Sequence, residues 1–231
     1  QALAAAAETA RSATGYIRKA ARVYLRAVTI NPKDFDANLN LSACYFQQGK
    51  LELAERYCQC AVEAEPDNPH GHSNLGIIYD AQGRPYDAIR AYKASLELDT
   101  NQPKLLLNLG TTYMKLRRLK SAAKAFRLSI EQDGEFAPAY EQLGSCLYLQ
   151  REWDQALSAY EKAAEVDPDS AAAQRGIGVV YMTQYLSDRT REDLRSSALA
   201  AWQRSLELDP SQKDLVDLMA KYAPDTPDTP L

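Results

Sequence analysis

The two histidines of this chain, His70 and His72, are the first candidates for metal binding or proton transfer. They lie two residues apart at the start of a predicted helix, where their side chains point in different directions. No other Cys or His has the spacing of a zinc site. Cys58 and Cys60 are also two apart on one predicted helix, so we expect them to stay unpaired. The sequence therefore predicts no metal site and no cofactor.

Two short motifs resemble catalytic or cofactor-binding sequences. Residues 71–75 begin like the nucleophile elbow of hydrolases, but Leu75 stands where the second Gly belongs. Residues 176–181 begin like a dinucleotide-binding fingerprint, but Tyr181 takes the place of the third Gly, and no strand is predicted before them. We find no catalytic group of residues and predict that the chain is not an enzyme.

A period of 34 residues organises most of the chain. A small residue recurs at this interval: Ala20, Ala54, Ala88, Ala122 and Ala156. An aromatic residue follows four positions later in four of the five units, and a Cys in the other: Tyr24, Cys58, Tyr92, Phe126 and Tyr160. A small residue also recurs in the first half of the unit: Ser42, Gly76, Gly110, Gly144 and Gly178.

The pattern predicts two helices per unit that pack closely against each other. A Gly on the first helix has no side chain, so a second helix can approach it, and the aromatic residue of the second helix fills the remaining gap. One such hairpin cannot bury its own apolar face, and stacking further hairpins buries it. The Pro near the end of several units closes the second helix.

These residues resemble the tetratricopeptide-repeat (TPR) family, most clearly in segments 74–99 and 141–168. The resemblance implies an all-α, right-handed α-solenoid of helix-turn-helix repeats with a C-terminal capping helix. The expected units share the 34-residue frame except at the two ends: 1–34 as an atypical repeat or cap; 35–68, 69–102, 103–136 and 137–170 as repeats; 171–210 as a repeat with an 8-residue insertion; 211–222 as the capping helix; and 223–231 as a disordered tail.

Charge and hydropathy exclude some classes of partner. The net charge of -4 gives no electrostatic reason to bind nucleic acid, and no apolar run is long enough to span a membrane. Cysteines within helices slightly favour a reducing, cytoplasmic compartment over the periplasm. The chain begins at Gln1 without Met, so we expect a trimmed or processed N-terminus, and a lost signal peptide stays open.

The resemblance implies a peptide-binding surface formed mainly by the first helix of each unit. Amide side chains recur at one position of that helix: Asn40, Asn74, Asn108 and Gln142. This row is similar to the asparagine ladder in the repeats of O-linked N-acetylglucosamine transferase, where amides pair with a peptide backbone. The frequency of Asn-Leu-Gly in this repeat explains the row equally well. Further candidates lie on the same surface: Phe46, Met114, Lys115, Tyr148 and Arg175.

The sequence therefore predicts a soluble protein- or peptide-binding scaffold that holds an extended segment of its partner. The alternative is a regulatory or substrate-docking region of a larger enzyme. RNA binding is a third class, which the acidic composition disfavours. Self-association through the end hairpins is left open.

Overall fold

The computed structural model describes residues 2–222, with side chains from residue 14 onwards. Its helices follow one another in this order: α1 (Ala2–Ile30), α2 (Phe35–Gln47), α3 (Leu51–Ala64), α4 (Pro69–Ala81), α5 (Pro85–Leu98), α6 (Pro103–Lys115), α7 (Leu119–Gln132), α8 (Ala137–Leu149), α9 (Trp153–Val166), α10 (Ala171–Ser187), α11 (Glu192–Leu208) and α12 (Lys213–Tyr222). No strand occurs in this range, so the predicted all-α fold class is confirmed. The predicted disordered tail, 223–231, lies outside the described residues. Within 2–222, no helix combines the length and apolarity that crossing a bilayer requires.

The chain divides into two compact units, and the boundary lies inside α6. The N-terminal unit comprises Gln1–Thr112, and the C-terminal unit comprises Tyr113–Leu231. In the N-terminal unit, α1 is one continuous helix of 29 residues and not a hairpin. It packs Ala21 into a small core with Leu41 and Cys44 of α2. The first helix of the chain thus covers the first hairpin, which α2 and α3 form.

Contact between a glycine and an aromatic ring holds the α4–α5 hairpin together. A Cβ atom added to Gly76 would lie 2.3 Å from Cδ1 of Tyr92, which is far inside van der Waals contact. Tyr92 is 1% exposed, and Ala88, one turn earlier on α5, is fully buried. The ring therefore lies directly on the backbone of α4, as the repeat pattern predicts.

The same contact recurs in the C-terminal unit. An added Cβ would lie 2.9 Å from the Tyr160 ring at Gly144 and 2.2 Å from the Trp202 ring at Gly178. Gly176 also faces Tyr160, since a Cβ added there would lie 2.4 Å from Cε1 of the ring. Tyr160 is thus enclosed by glycines of two successive first helices, α8 and α10. A bulky side chain at any of these glycines would force its helix away from the helix that carries the ring.

The turn inside each of the four regular hairpins has the same backbone hydrogen bonds. After α2, the N–H of Lys50 donates to the carbonyl of Tyr45 at 2.9 Å, and Gly49 occupies the left-handed region with φ of 72°. Gly83 has the same conformation after α4. This is the Schellman arrangement that ends many helices. The two later turns place Arg117 and Arg151 in this conformation, with φ of 58° and 64°.

A Ser and a Gln seven residues apart connect α5 to the start of α6. The hydroxyl of Ser95 is fully buried and donates to the carbonyl of Pro69 at 2.8 Å. The side-chain amide of Gln102 donates to the carbonyl of Ser95 at 3.1 Å and to that of Asp99 at 2.7 Å. The Ser95 carbonyl also accepts from the backbone N–H of Asp99 at 2.9 Å, so Gln102 adds a side-chain donor where α5 ends. We call this arrangement the Ser–Gln clasp.

A second Ser–Gln clasp attaches α12 to α11. The Ser205 hydroxyl donates to the carbonyl of Ala171 at 2.8 Å, and Gln212 Nε2 donates to the carbonyls of Ser205 and Asp209, each at 3.2 Å. Leu215 of α12 is fully buried against the core that contains Trp202. The last helix therefore docks in the way that the first helix of a repeat docks.

The sixth repeat has longer helices than the others. Helices α10 and α11 have 17 residues each, whereas α8 has 13 and α9 has 14. The residues 188–191 form the connection between them. The added residues therefore extend both helices of this hairpin beyond the length of the neighbouring repeat.

We expect Gly76→Ala to lower the free energy of unfolding by about 1–3 kcal/mol, because the new methyl group overlaps the buried Tyr92 ring. The matched control is Gly15→Ala on α1, where an added Cβ meets nothing within 4 Å. This control removes a glycine from a helix interior and is expected to stabilise by about 0.5–1 kcal/mol. Urea unfolding followed by far-UV circular dichroism measures both. Equal stability of the two variants would contradict the close approach of α4 and α5.

Candidate functional site

A pocket lies between α2 and α4, the first helices of two successive hairpins in the N-terminal unit. Its volume is about 150 Å³. One side is formed by α2, and the other by α4: Ser42, Ala43, Phe46 and Gln47 from α2, with Asn74, Ile77 and Ile78 from α4. Phe46 is half-buried and also packs against the apolar cluster that contains Leu75 and Ile78. The pocket therefore has an apolar floor that the core itself holds in place.

A second pocket follows on the next first helix. It has a volume of about 400 Å³ and lies between α4 and the start of α6. Its lining residues come from these two elements: Ser73 and Ile77 from α4, Gln102 before α6, and Pro103, Lys104, Leu105 and Asn108 from α6. Ile77 lines both pockets, so they adjoin along one face of α4. We call this continuous surface of α2, α4 and α6 the first-helix wall.

The predicted asparagine row contributes to both pockets of the first-helix wall. Asn74 lines the α2–α4 pocket and Asn108 lines the α4–α6 pocket, and both are half-buried. Neither side-chain amide forms a hydrogen bond with any described residue. Asn40 differs, because it is exposed and its Nδ2 donates to the carbonyl of Asp36 at 2.8 Å. Two of the amides are therefore available to a ligand with both donor and acceptor atoms.

An acidic side chain ties three helices together beside the wall. Oδ2 of Asp80 accepts hydrogen bonds from the hydroxyls of Tyr92 at 3.2 Å and Thr112 at 2.5 Å. Thr112 is fully buried. Burial of Tyr92, with the charge of Asp80 beside it, raises the pKa of the Tyr92 hydroxyl, which therefore stays protonated and donates. Asp80 thus links α4 to α5 and to α6, and it fixes the helices that carry the two pockets.

The remaining predicted site residues lie in the C-terminal unit, where several side chains already have partners. The Tyr148 hydroxyl is 2.9 Å from Oγ1 of Thr183. Nη2 of Arg175 lies 2.5 Å from Oδ2 of Asp214 on α12 and keeps the pKa of that carboxyl below its usual range. The structure therefore gives Arg175 a role in holding the last helix in place.

Gln142, Met114 and Lys115 complete the predicted set. Gln142 and Met114 are half-buried, and Lys115 is exposed at the end of α6. They belong to the C-terminal unit, whereas the two pockets of the first-helix wall are formed entirely by residues of the N-terminal unit. Ile77 and Lys104 are not among the candidate residues of the sequence analysis, although both line the wall. The 34-residue register places Ile77 one turn from Asn74 but gives no measure of its exposure.

Another cavity of the C-terminal unit opens between the second helices α7 and α9. Its volume is about 510 Å³, and Tyr140 of α8 forms part of its lining. The charged lining residues have mixed signs: Arg127, Glu161, Lys162 and Glu165. Lys162 pairs with Glu165 at 2.8 Å. None of the predicted site residues lines this cavity.

Metal-binding side chains do not come together in the described part of the chain. No cluster of three or more His, Cys, Asp or Glu residues there could hold a metal ion. Nε2 of His72 lies 2.7 Å from the carbonyl of Pro66, in a turn. Burial raises the pKa of the Cys58 thiol to about 12, so this thiol stays protonated near neutral pH.

Comparison with known proteins places the repeats in a family. A family model for the TPR-containing C-terminal domain of cilia and flagella-associated protein 70 matches residues 3–178. The chain belongs to this family. The match covers most of the chain, including the whole first-helix wall, so the TPR resemblance predicted from the sequence is confirmed. A sequence comparison with curated proteins finds no match.

Solved structures share the fold of this family member. YrrB, a TPR protein with an unusual peptide-binding site, is 22% identical with a TM-score of 0.67, and the alignment covers 87% of this chain and 99% of YrrB. MamA is 26% identical with a TM-score of 0.66, covering 75% and 97% of the two chains. A thermophilic TPR protein of Thermus thermophilus is 18% identical with a TM-score of 0.61, covering 82% and 98%. The solenoid of TPR hairpins is thus the shared feature.

We expect Asp80→Ala to destabilise the N-terminal unit by about 1–3 kcal/mol, because it leaves the Tyr92 and Thr112 hydroxyls without this acceptor. Asp67→Ala, an exposed acidic residue of the α3–α4 turn, is the matched control and should change stability little. Thermal unfolding followed by circular dichroism compares the two. A melt of Asp80→Ala that coincides with that of the control would show that this network does not hold the three helices.

Proposed function

We propose that this chain is a protein-interaction scaffold that binds an extended peptide segment along the first-helix wall of its N-terminal unit. The observation that supports it best is the pair of adjoining pockets, each of which exposes an unpaired asparagine amide from the same repeat position. The TPR fold is typical of non-catalytic interaction scaffolds. YrrB shares this fold and is a TPR protein with a peptide-binding site.

Each of the two amides can pair with an extended backbone. A peptide strand repeats its N–H and C=O groups regularly, and an Asn side chain can donate to one and accept from the other. Side chains of the peptide would enter the apolar parts of the pockets beside Phe46, Ile77 and Leu105. Affinity would then come from the backbone, and preference for apolar residues would come from the pockets, as in other modes of peptide recognition.

The family name gives the proposal a biological setting. The matched domain belongs to a protein associated with cilia and flagella. We propose that the bound segment belongs to another component of such an assembly. Lys104 is the single cationic residue among those that line the two described pockets, so the wall has no basic row to attract nucleic acid.

Asn74→Ala combined with Asn108→Ala tests the amide contacts. A fluorescent peptide is first selected from a random display library on the wild-type protein, and its Kd is then measured by anisotropy. We expect the double variant to bind about 10- to 30-fold more weakly, since each lost hydrogen bond contributes about 1 kcal/mol. Asn101→Ala combined with Gln203→Ala removes two exposed amides outside the wall and is the control. Equal affinity of both double variants, with unchanged melting temperatures, would rule out the proposed contacts.

Backbone recognition makes a separate prediction about the peptide. N-methylation of successive backbone amides in the selected peptide should weaken binding to the wild type, because each methyl group removes one donor. The same N-methyl groups should matter much less for the Asn74→Ala, Asn108→Ala variant, which has already lost the acceptors. Isothermal titration calorimetry of both proteins with the unmodified and the N-methylated peptide gives the coupling energy between the two changes. Additive effects, without coupling, would contradict backbone recognition by these two residues.

A further inference from the structure

A small pocket lies between α1 and the turn that follows α2, and every charged residue of its lining is cationic. Its volume is about 210 Å³. The lining residues come from α1 and from the end of α2 with its turn: Arg18, Ala21, Arg22 and Leu25, with Tyr45, Gln48 and Lys50. No carboxylate lines this pocket in the described part of the chain. It shares no lining residue with the first-helix wall.

Hydrogen-bond donors of this pocket are without acceptors. Nε2 of Gln48 is buried and has no hydrogen-bond partner. Arg18 and Arg22 form no hydrogen bond or ion pair with the described residues, and they lie four residues apart on one face of α1, where like charges repel each other. Nζ of Lys50 lies 5.6 Å from the centre of the Tyr45 ring. The pocket therefore offers three cations and one unsatisfied buried amide to a negatively charged group.

The next repeat shows what fills the equivalent position. Counting 34 residues onward, Gln48 corresponds to Gln82, Lys50 to Arg84 and Ala21 to Glu55. There, the carboxylate of Glu55 accepts hydrogen bonds from Nε2 of Gln82 at 2.8 Å and from Nη1 of Arg84 at 3.0 Å. The first hairpin has the same donors, but Ala21 provides no carboxylate. The donors around Gln48 thus have the arrangement that binds the Glu55 carboxylate in the next repeat, but no acceptor is present among them within the described residues.

We propose that this pocket binds a carboxylate side chain of an acidic protein segment, which takes the place that Glu55 has in the next repeat. Arg18 and Arg22 would hold the carboxylate from α1, and the Gln48 amide and Lys50 would hold it from the turn. The helix that provides the two arginines is basic as a whole, since residues 1–30 contain five Arg or Lys and one Glu in a chain of net charge -4. An acidic partner would therefore be attracted to this end of the protein.

Nuclear magnetic resonance of the ¹⁵N-labelled full chain tests this pocket directly. The probe is the blocked peptide acetyl-Ala-Glu-Ala-amide, and the matched control is acetyl-Ala-Gln-Ala-amide. We expect the Glu peptide to shift the side-chain amide resonance of Gln48, because that amide gains an acceptor, and to leave the resonance of Gln82 in place, because Gln82 already donates to Glu55. The Gln peptide should shift neither. A Gln48 resonance that does not move, or that moves equally with both peptides, would overturn the proposal.

Two charge-matched variants separate this pocket from general attraction to a basic helix. Arg18→Gln combined with Arg22→Gln should weaken the Glu peptide about tenfold or more. Lys19→Gln combined with Arg26→Gln removes the same charge from α1 outside the pocket and should keep most of the affinity. An equal loss of affinity for the Glu peptide in the two double variants would overturn the assignment to this pocket. Inorganic phosphate at matched ionic strength is a third arm, and tighter binding of phosphate than of the Glu peptide would overturn the assignment of a carboxylate.

Ala21→Glu provides the missing carboxylate within the chain. We expect it to shift the Gln48 amide resonance in the absence of peptide and to abolish the response to the Glu peptide. Because Ala21 is 7% exposed and packs with Leu41 and Cys44, the dispersion of the remaining resonances checks that this variant folds. If Ala21→Glu does not fold, the variant with Arg18→Gln and Arg22→Gln still decides the test. None of these substitutions alters Asn74 or Asn108, so the outcome is separate from that for the first-helix wall.

Discussion

The direct contact of an aromatic ring with a glycine on the facing helix is the constraint on which this fold depends. Tyr92 on Gly76, Tyr160 on Gly144 and Trp202 on Gly178 repeat one geometry in both units. Because the ring occupies the space that a side chain would fill, each of these three hairpins closes to a fixed separation. The large buried ring contributes much of the apolar area of its hairpin. The first helices then present their other face, which carries the amides and the pockets.

The first-helix wall follows from this packing. With α4 held by Tyr92 on one side, Ile77 and Asn74 are left at the surface that faces α2 and α6. The Asp80 network fixes the same helix at its end, through hydroxyls on α5 and α6. A surface supported in this way loses little conformational freedom when a ligand binds, which favours affinity for a weakly structured peptide. The same repeat thus provides both the packing that fixes α4 and the unpaired amide of Asn74 on its surface.

The sequence was sufficient for the fold class and for the packing glycines, because a 34-residue period records which positions meet a neighbouring helix. The sequence was less informative about which side chains contact each other. Nothing in the period indicates that Arg175 pairs with Asp214 or that Tyr148 meets Thr183, since those partners lie 39 and 35 residues away on other helices. The exposure of Ile77 and the unsatisfied amide of Gln48 also depend on three-dimensional packing. The repeat register alone could have flagged Ala21 as the position where a charged residue is missing.

The two Ser–Gln clasps show that one kind of connection joins a second helix to the helix after it at two different places in the chain. Gln102 starts a complete hairpin and Gln212 starts a single helix, yet both hold the preceding helix through the same carbonyl groups. These two joints are chemically equivalent, so a hairpin gained or lost between them would leave the same side-chain contacts at the junction. Evolution can therefore adjust the length of such an array in steps of one repeat, and with it the extent of the first-helix surface.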